Sequence, residues 1–466
     1  MDPSTLYPSR NIHDFGAGGE TIVSPFVLVG VLLAGLLILV LPRKYLIWAY
    51  LVPLILIPIP QAIMLGALHL RMGQILTVIA LARLVKDGLL TRSIQKNSLD
   101  RAFVWWALSY ATIFTLRFQS SGALINQVRG VFDAIGTYYV LRCLIRDEKD
   151  ACRAIRVLAV IACIVGSLMA VERQTGRNPF AVLGGIAEVS EVRNGTVRSQ
   201  GPFEQAIPAG AFGGTLVSLF VGLWVRDPKG KYFALLAIPA ALTIAYTSAC
   251  STPILAAAGA LAVFSLWPVR GKMRYVRWSI VVILLGLELV MKSNVWWLIA
   301  RVDLTGSSTG WDRAALIDHT IHHFSEWWLL GTNNNPNWGY DMWDLCNWFV
   351  AQAVQGGLLT FVLFILVIVR CFERLGRARK AAEGEFRKEF FIWAMGATLF
   401  AHMCSFFGTS YYDQMTFSWY ALLAIISAVT ILPSSRQTNR KRPVVFDSEK
   451  LDLAAVGASA DGGGQP

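Results

Sequence analysis

The chain alternates long apolar runs with short polar turns over most of its length. Runs of about 20 apolar residues match the hydrocarbon thickness of a bilayer. The runs lie near 25–42, 45–64, 68–85, 102–118, 123–145, 151–170, 207–226, 232–249, 252–268, 277–297, 347–370, 389–409 and 415–432. The pattern predicts an all-α, polytopic integral membrane protein over residues 1–432, with about twelve or thirteen transmembrane helices.

The second and third runs are the least regular. Pro53, Pro58 and Pro60 interrupt the run at 45–64, and only a short turn separates it from the next run. Because proline removes a backbone donor and clashes with the preceding turn, we expect the helix to break there.

Composition supports the membrane class and limits the alternatives. Hydrophobic residues make up 55% of the chain and charged residues 15%, whereas soluble proteins carry about a quarter charged residues. A net charge of +12 raises nucleic-acid binding as an alternative. The basic residues lie in short clusters between apolar runs, which favours a role in membrane orientation. The seven cysteines have no CxxC spacing, so neither a zinc site nor a disulfide framework is indicated.

Lysine and arginine set the predicted orientation, with the N-terminus outside. The basic clusters that then face the cytoplasm are 42–44, 86–101, 146–156, 226–231, 269–277 and 370–388. Two longer segments, 171–206 and 298–346, are left outside. The polar tail at 433–466 is predicted to be disordered and cytoplasmic. Residues 1–23 lack the basic start and adjoining apolar stretch of a cleaved signal peptide.

The first outer segment is rich in arginine, on the side of the membrane where arginine is normally scarce. The four are Arg173, Arg177, Arg193 and Arg198. Arginine binds phosphate through a planar fork of donors. The simpler alternative is that these arginines are solvated or pair with nearby glutamates. For Arg193 and Arg198, which precede a turn at 201–203, we favour the phosphate-binding role.

The second outer segment holds most of the side chains that catalysis can use. A helix is predicted over 312–328, and its period of 3.6 residues gathers polar side chains on one stripe. The stripe contains Asp312, Ala315, His319, His322 and Glu326, with His323 close beside it. The opposite flank is apolar and several tryptophans lie nearby, which is typical of a helix on a membrane surface.

The histidines of this helix have three explanations. His319, His322 and His323 could act in catalysis, or they could form ordinary hydrogen bonds at the interface. With Asp318 they could bind zinc, but this spacing without a supporting carboxylate motif is a weak signal. Two other polar features lie within apolar runs. Arg129 and Asp133 are predicted to pair one turn apart, and His402 is predicted to form a hydrogen bond between helices.

Four segments resemble the O-antigen ligase and O-antigen polymerase-like membrane proteins. They are VRSQGPFEQ, YTSACSTPILAAAGALAVFSLWP, RAALID followed by LLGT, and NWFVAQAVQGGLL. The resemblance covers roughly residues 100–430. It implies a glycan-transferring fold of the GT-C type, acting at the outer face of the bacterial inner membrane on sugar chains carried by a polyprenyl diphosphate.

The resemblance also implies roles for individual residues. Arg193 or Arg198 matches the first diphosphate-binding arginine of the family, and Arg313 matches the arginine that opens the late loop. The chain departs from the pattern where Cys346-Asn347 replaces His-Asn, and where Ser251-Thr252-Pro253 lacks an arginine. The base is therefore Asp344 or one of His319, His322 and His323.

The function predicted on this basis is polymerisation or ligation of polyprenyl-diphosphate-linked oligosaccharides for a surface polysaccharide, either O-antigen or exopolysaccharide. The enzyme would need no metal and no other cofactor, since a lipid diphosphate is already a good leaving group once cations meet its charge. Its partners would be the glycan lipid, the bilayer and other polysaccharide assembly proteins, but not nucleic acid. The alternatives are a transporter or flippase, which internal repeats would favour, and a non-catalytic component of an export complex.

Overall fold

Helices make up most of the computed structural model, which describes residues 23–65, 68–89, 97–301, 310–412 and 414–431. The helices are α1 (Pro25–Val40), α2 (Arg43–Leu56), α3 (Met72–Lys86), α4 (Ser98–Phe118), α5 (Ser121–Val131), α6 (Thr137–Leu144), α7 (Glu148–Thr175), α8 (Ala206–Arg226), α9 (Gly230–Thr247), α10 (Ser251–Ser265), α11 (Met273–Val290), α12 (Gly310–His322), α13 (Phe324–Trp327), α14 (Trp348–Ala381), α15 (Phe386–Phe406) and α16 (Gln414–Val429). A π-helical turn, Phe132–Gly136, joins α5 to α6. The tail predicted at 433–466 lies outside the described residues, as do 90–96 and 302–309.

Short strands and 3-10 turns complete the described secondary structure. The strands β1 (Ala62–Leu65) and β2 (Leu68–Arg71) form one antiparallel hairpin. The strands β3 (Glu191–Arg193) and β4 (Thr196–Arg198) form another. The 3-10 turns are Pro179–Leu183, Trp267–Lys272, Val295–Arg301 and Asn335–Trp338.

The apolar helices make this a multi-pass membrane protein. In the described part of the chain, 5 helices are long and apolar enough to cross a bilayer: α7, α8, α9, α14 and α15. The pair formed by α10 and Trp267–Val290, bent by 71°, raises the count to 6 if it is one span, and α1 and α16 are shorter apolar helices. The larger number of spans expected from the apolar runs stays a prediction.

Several predicted apolar runs are divided in the structure. The second run contains α2, which continues through Pro53 and ends at Leu56, before the β1–β2 hairpin. Pro58 explains this end, because proline cannot donate to the helical ladder and disfavours helix in the residue before it. The run at 123–145 contains α5, the π-helical turn and α6.

Helix α8 lies at the centre of the bundle, and 89% of its most apolar 18-residue stretch is buried. Its glycines allow neighbouring backbones to approach closely. A Cβ atom on Gly213 would collide with the carbonyl oxygen of Ala241 in α9, and one on Gly214 would collide with that of Pro253 in α10. Close approach at small residues is how helices pack tightly inside a membrane.

Polar contacts sort the loops into two groups. One group joins turns that are predicted to be cytoplasmic: Arg43 pairs with Asp150 at 2.6 Å, and Arg270 pairs with Glu389 at 2.9 Å. The other joins segments that are predicted to be outside: Gln414 Nε2 donates to the carbonyl of Pro202 at 2.7 Å. Contacts within each group follow the predicted alternation, while the orientation in a membrane stays a prediction.

Polar groups inside the bundle have identifiable partners. Asp133 accepts a hydrogen bond from Gln74 at 2.9 Å, and Arg129 donates to Asn126 at 2.7 Å. His402 Nδ1 lies 2.9 Å from the hydroxyl of Tyr411, which follows the same helix, so this bond is not the predicted one between two helices.

Candidate functional site

Arg198 is placed by the β3–β4 hairpin. Residue 198 lies directly opposite Glu191 in the strand register, and its Nη1 is 3.0 Å from both carboxylate oxygens of that residue. Its Nη2 donates to the sulfur of Cys250 at 2.9 Å. Arg198 is buried, with 8% of its surface exposed. The hairpin therefore fixes a guanidinium between a carboxylate and the turn that precedes α10.

The hairpin is built by its turn and anchored at its end. Asn194 and Gly195 both have positive φ, 50° and 73°, which is the conformation that an Asn-Gly turn adopts in a tight hairpin. The fully buried carboxylate of Glu172, near the end of α7, accepts hydrogen bonds from the amides of Gln200 and Gly201, each at 2.9 Å. This anchor ties the segment after β4 to a membrane helix.

Arg193 lies on the same hairpin. It pairs with Thr196 in the register, so its side chain leaves the same face as Glu191 and Arg198. The residue is half-buried. The structure thus brings two of the three predicted diphosphate-binding arginines to one face.

Arg313 enters the same region from the other outer segment. It lies in the first turn of α12, is 8% exposed and donates a hydrogen bond to the Cys346 thiol. Burial raises the pKa of the Cys250 thiol, and both Arg198 and Arg313 act against that rise. Arg198 contacts Cys250, and Arg313 lines a cavity with the next residue, Ser251, so both arginines lie near the turn that precedes α10.

Asp344 and Cys346 lie beside Arg313 with altered pKa values. Although Asp344 is an exposed residue, its carboxyl group is partly desolvated, and this and the neighbouring Asp341 raise its pKa, while Arg313 lowers it. Burial and the Asp344 carboxylate raise the pKa of Cys346 to about 11, against the effect of Arg313. At neutral pH the thiol is therefore protonated, and Asp344 is the group that can accept a proton.

A cavity of about 230 Å³ adjoins these residues. Its lining consists of Ser251, Thr252, Leu255, Ile299, Arg313, Cys404, Phe407 and Gly408. The lining includes two hydroxyls and a guanidinium, and the rest of it is largely apolar. The Nε atoms of Arg198 and Arg313 are buried and lack an acceptor in the part of the chain that the structure describes. Buried donors without acceptors favour an anionic ligand.

The three predicted catalytic histidines lie farther along α12 and just beyond it. His322 is exposed, with its Nδ1 2.8 Å from the carbonyl of Asp318. His323 stacks on Trp338 with ring centroids 4.9 Å apart, and its Nδ1 is 2.9 Å from the carbonyl of His319. Among the described residues, no hydrogen bond or ion pair joins these histidines to Arg193, Arg198 or Arg313. The part of the chain that the structure describes also contains no group of three side chains that could bind a metal ion.

The predicted helix over 312–328 is interrupted. It ends at His322 and continues as the short α13, and the loop after it folds back. Glu326 accepts hydrogen bonds from Asn334 at 2.9 Å and from Trp338 at 3.1 Å, and these two bonds lower its pKa. Gly331, with φ 69°, supplies the left-handed turn. The fold-back carries Asp344 and Cys346 towards Arg313.

Cys250, which contacts Arg198 from 52 residues away, was not predicted from the sequence. Glu191, which also contacts Arg198, was one of the nearby glutamates of the simpler alternative, and the structure shows that pairing for Arg198. The Asn-Gly pair between two short polar runs was the available signal for the hairpin, and it would have paired Glu191 with Arg198. No protein-family model matches this chain, and no curated protein matches its sequence.

Proposed function

We propose that this chain transfers a glycan from a polyprenyl diphosphate carrier to an acceptor hydroxyl at the outer face of a bacterial inner membrane, in the polymerisation or ligation of a surface polysaccharide. One observation carries the proposal: Arg198 contacts Cys250, and Arg313, which comes from the other outer segment, lines a cavity together with the next residue, Ser251. Hydroxyl-bearing and apolar side chains complete the lining of that cavity.

The chemistry of the cavity suits a lipid diphosphate. Arg313, which lines the cavity, carries a buried Nε donor without an acceptor within the described residues, and Ser251 and Thr252 add hydroxyls to the lining. Arg198, which contacts the neighbouring Cys250, carries a second such donor. Leu255 and the ring of Phe407 supply an apolar surface for the isoprenoid chain. The arginines would meet the charge that develops on the diphosphate as it leaves.

The proposed reaction needs one base. The acceptor oxygen attacks the anomeric carbon, the bond between that carbon and the diphosphate oxygen breaks, and the diphosphate leaves with the electron pair. The acceptor proton passes to the carboxylate of Asp344. A raised pKa makes this carboxylate a stronger base than an ordinary aspartate. Cys346, which stands where the resembling family has histidine, cannot take the proton because its own pKa is about 11.

The histidines take a different role in this proposal. His323 stacks on Trp338, and His322 contacts Asp318. We propose that His319, His322 and His323 hold the loop that presents Asp344, rather than touching the reacting atoms. An activity loss from a histidine variant would then come with a change in loop stability.

Reconstituted vesicles can test the transfer reaction. The full chain is supplied with a polyprenyl-diphosphate oligosaccharide, and product length and carrier transfer are measured for Arg198→Ala, Arg313→Ala and the double variant. Each single change should slow transfer about 10²- to 10³-fold, as loss of one donor to a developing anion does. Arg177→Ala is the matched control, because Arg177 lies in the same outer segment, is exposed and pairs with exposed Glu188.

Two results would overturn the proposal. If the double variant transferred glycan at the wild-type rate, the two arginines would have no part in the reaction. Movement of the lipid across the bilayer without transfer to an acceptor, lost in the same variants, would favour the flippase alternative.

A further inference from the structure

Helix α11 has almost no protein around it. None of its residues from Met273 to Val290 is buried, and the side chains of Val282, Leu285 and Leu289 are 63%, 61% and 87% exposed. From Ser279 to Leu287 the helix carries no charged residue on any side. In a membrane protein a helix that is apolar all round lies in lipid.

The start of α11 is strongly basic. Arg270, Lys272, Arg274 and Arg277 lie within eight positions, and no acidic residue occurs between 266 and 287. Arg270 is engaged by Glu389 at 2.9 Å. Arg274 and Arg277 are exposed and have no ion-pair partner among the residues described. Two full positive charges are therefore available to a ligand.

These two arginines line one open depression of the helix surface together with Trp278 and Val281. The four positions follow i, i+3, i+4 and i+7, which is one stripe of a helix. Along the stripe the order is two guanidinium groups, an indole and an aliphatic side chain. A bilayer lipid presents the same order from its phosphate, through the interface, to its acyl chains.

We propose that this stripe binds an anionic phospholipid of the bilayer, with the headgroup phosphate between Arg274 and Arg277 and an acyl chain along Trp278 and Val281. Charge complementarity selects the headgroup, because arginine grips phosphate through paired donors. The apolar half of the stripe selects a lipid over an acidic peptide or a free phosphate ion, neither of which covers it. The predicted orientation places this site in the cytoplasmic leaflet.

The bound lipid would hold a helix that protein contacts do not hold. The chain leaves α11 for the turn Val295–Arg301, where the indole of Trp296 donates to Asp318 of α12 at 3.1 Å. Ile299 of this turn lines the cavity that contains Arg313. Anchoring α11 would therefore steady one wall of that cavity, although the lipid site itself does not depend on the proposed transfer reaction.

Native mass spectrometry of the full chain in detergent tests this site. Phosphatidylglycerol and phosphatidylcholine with identical acyl chains are titrated against the wild type and the Arg274→Gln, Arg277→Gln variant. Each charge near an anionic headgroup contributes about 1 kcal/mol, so the variant should bind phosphatidylglycerol about thirtyfold more weakly. Its binding of phosphatidylcholine should not change.

The matched control is Arg370→Gln with Arg377→Gln. Arg377 is exposed and Arg370 is half-buried; both are predicted to be cytoplasmic, but both pair with Glu373, at 3.0 and 2.7 Å. Equal phosphatidylglycerol binding by the α11 variant and the wild type would overturn the proposal. So would an equal loss in the control, or displacement of the lipid by millimolar phosphate.

A second measurement uses the unaltered arginines. Phosphatidylglycerol brominated on its acyl chains should quench the fluorescence of Trp278, seen as the difference between the wild type and Trp278→Phe. Brominated phosphatidylcholine at the same mole fraction should quench it less. Equal quenching by the two lipids would show that the stripe does not select an anionic headgroup, and would overturn the proposal.

Discussion

Replacing Arg313 by glutamine perturbs the candidate site in a way that can be measured without any substrate. Arg313 is buried and donates to the Cys346 thiol, whose pKa of about 11 it holds down. Removing the charge should raise that pKa further, because burial and Asp344 then act unopposed. A hydrogen bond to a charged group contributes about 1.5–3 kcal/mol, and since about 1.4 kcal/mol is a factor of ten, the thiolate should become about ten- to hundredfold rarer.

The assay is alkylation of a chain that retains Cys346 as its sole cysteine. At a fixed alkaline pH, the rate with a small neutral alkylating reagent follows the thiolate fraction. Arg313→Gln should therefore react about ten- to hundredfold more slowly. Arg313→Lys, which keeps the charge without the planar fork, should fall between the two.

The control for this experiment is Arg301→Gln, an exposed arginine in the neighbouring 3-10 turn, which should leave the rate unchanged. An unchanged or faster reaction in Arg313→Gln would refute the contact between Arg313 and Cys346, and with it the placement of Arg313 in the site.

Two further predictions concern the base and the packing of the bundle. Desolvation and Asp341 raise the pKa of Asp344, so on acidification its carboxylate is protonated at a higher pH than the ordinary 3.8. Glycan transfer should therefore fall before an unperturbed aspartate would titrate. Asp344→Asn should abolish this acidic limb of the pH–rate profile together with most of the activity. Gly213→Ala would push a methyl group into the Ala241 carbonyl and should lower the free energy of unfolding by about 1–3 kcal/mol. Gly286→Ala is the control, because Gly286 has open space around it and its replacement should leave that free energy unchanged. Equal melting temperatures of the two variants in detergent would contradict this prediction.

Hydrophobic patterning predicted the helical membrane class because the length and composition of an apolar run depend on local sequence alone. The run that became α8 is an example, and its central position follows from small residues at which neighbours approach. Patterning failed where the backbone leaves the helix inside an apolar run. Pro58 marks the end of α2, whereas Pro53 lies inside the helix, and the π-helical turn at Phe132–Gly136 has no comparable residue signal.

The candidate site was predictable in part, and for a physical reason. Arginine on the predicted outer side of a membrane protein is an identifiable exception to the charge rule, so Arg193 and Arg198 could be selected from the sequence. Arg313 was selected through the family resemblance. Which residues they meet depends on how the two outer segments fold over the bundle. Cys250 became a neighbour of Arg198 through tertiary packing, and no local pattern encodes a contact over that separation.

The clearest example of such a long-range dependence is Glu172, which gives a last prediction. Its buried carboxylate accepts from the amides of Gln200 and Gly201 and from the hydroxyl of Ser190. In Glu172→Gln one oxygen becomes a donor, which leaves a buried amide facing another donor at a cost of about 1–3 kcal/mol.

That cost should appear as local opening of the segment that follows β4. Hydrogen exchange at Gln200 and Gly201 should accelerate about ten- to hundredfold in Glu172→Gln, because exchange reports the free energy of local opening. Glu188→Gln is the control, since Glu188 is exposed and its carboxylate pairs with exposed Arg177. Amides that exchange as slowly in Glu172→Gln as in the wild type would mean that the hairpin holds Arg198 in place without this anchor.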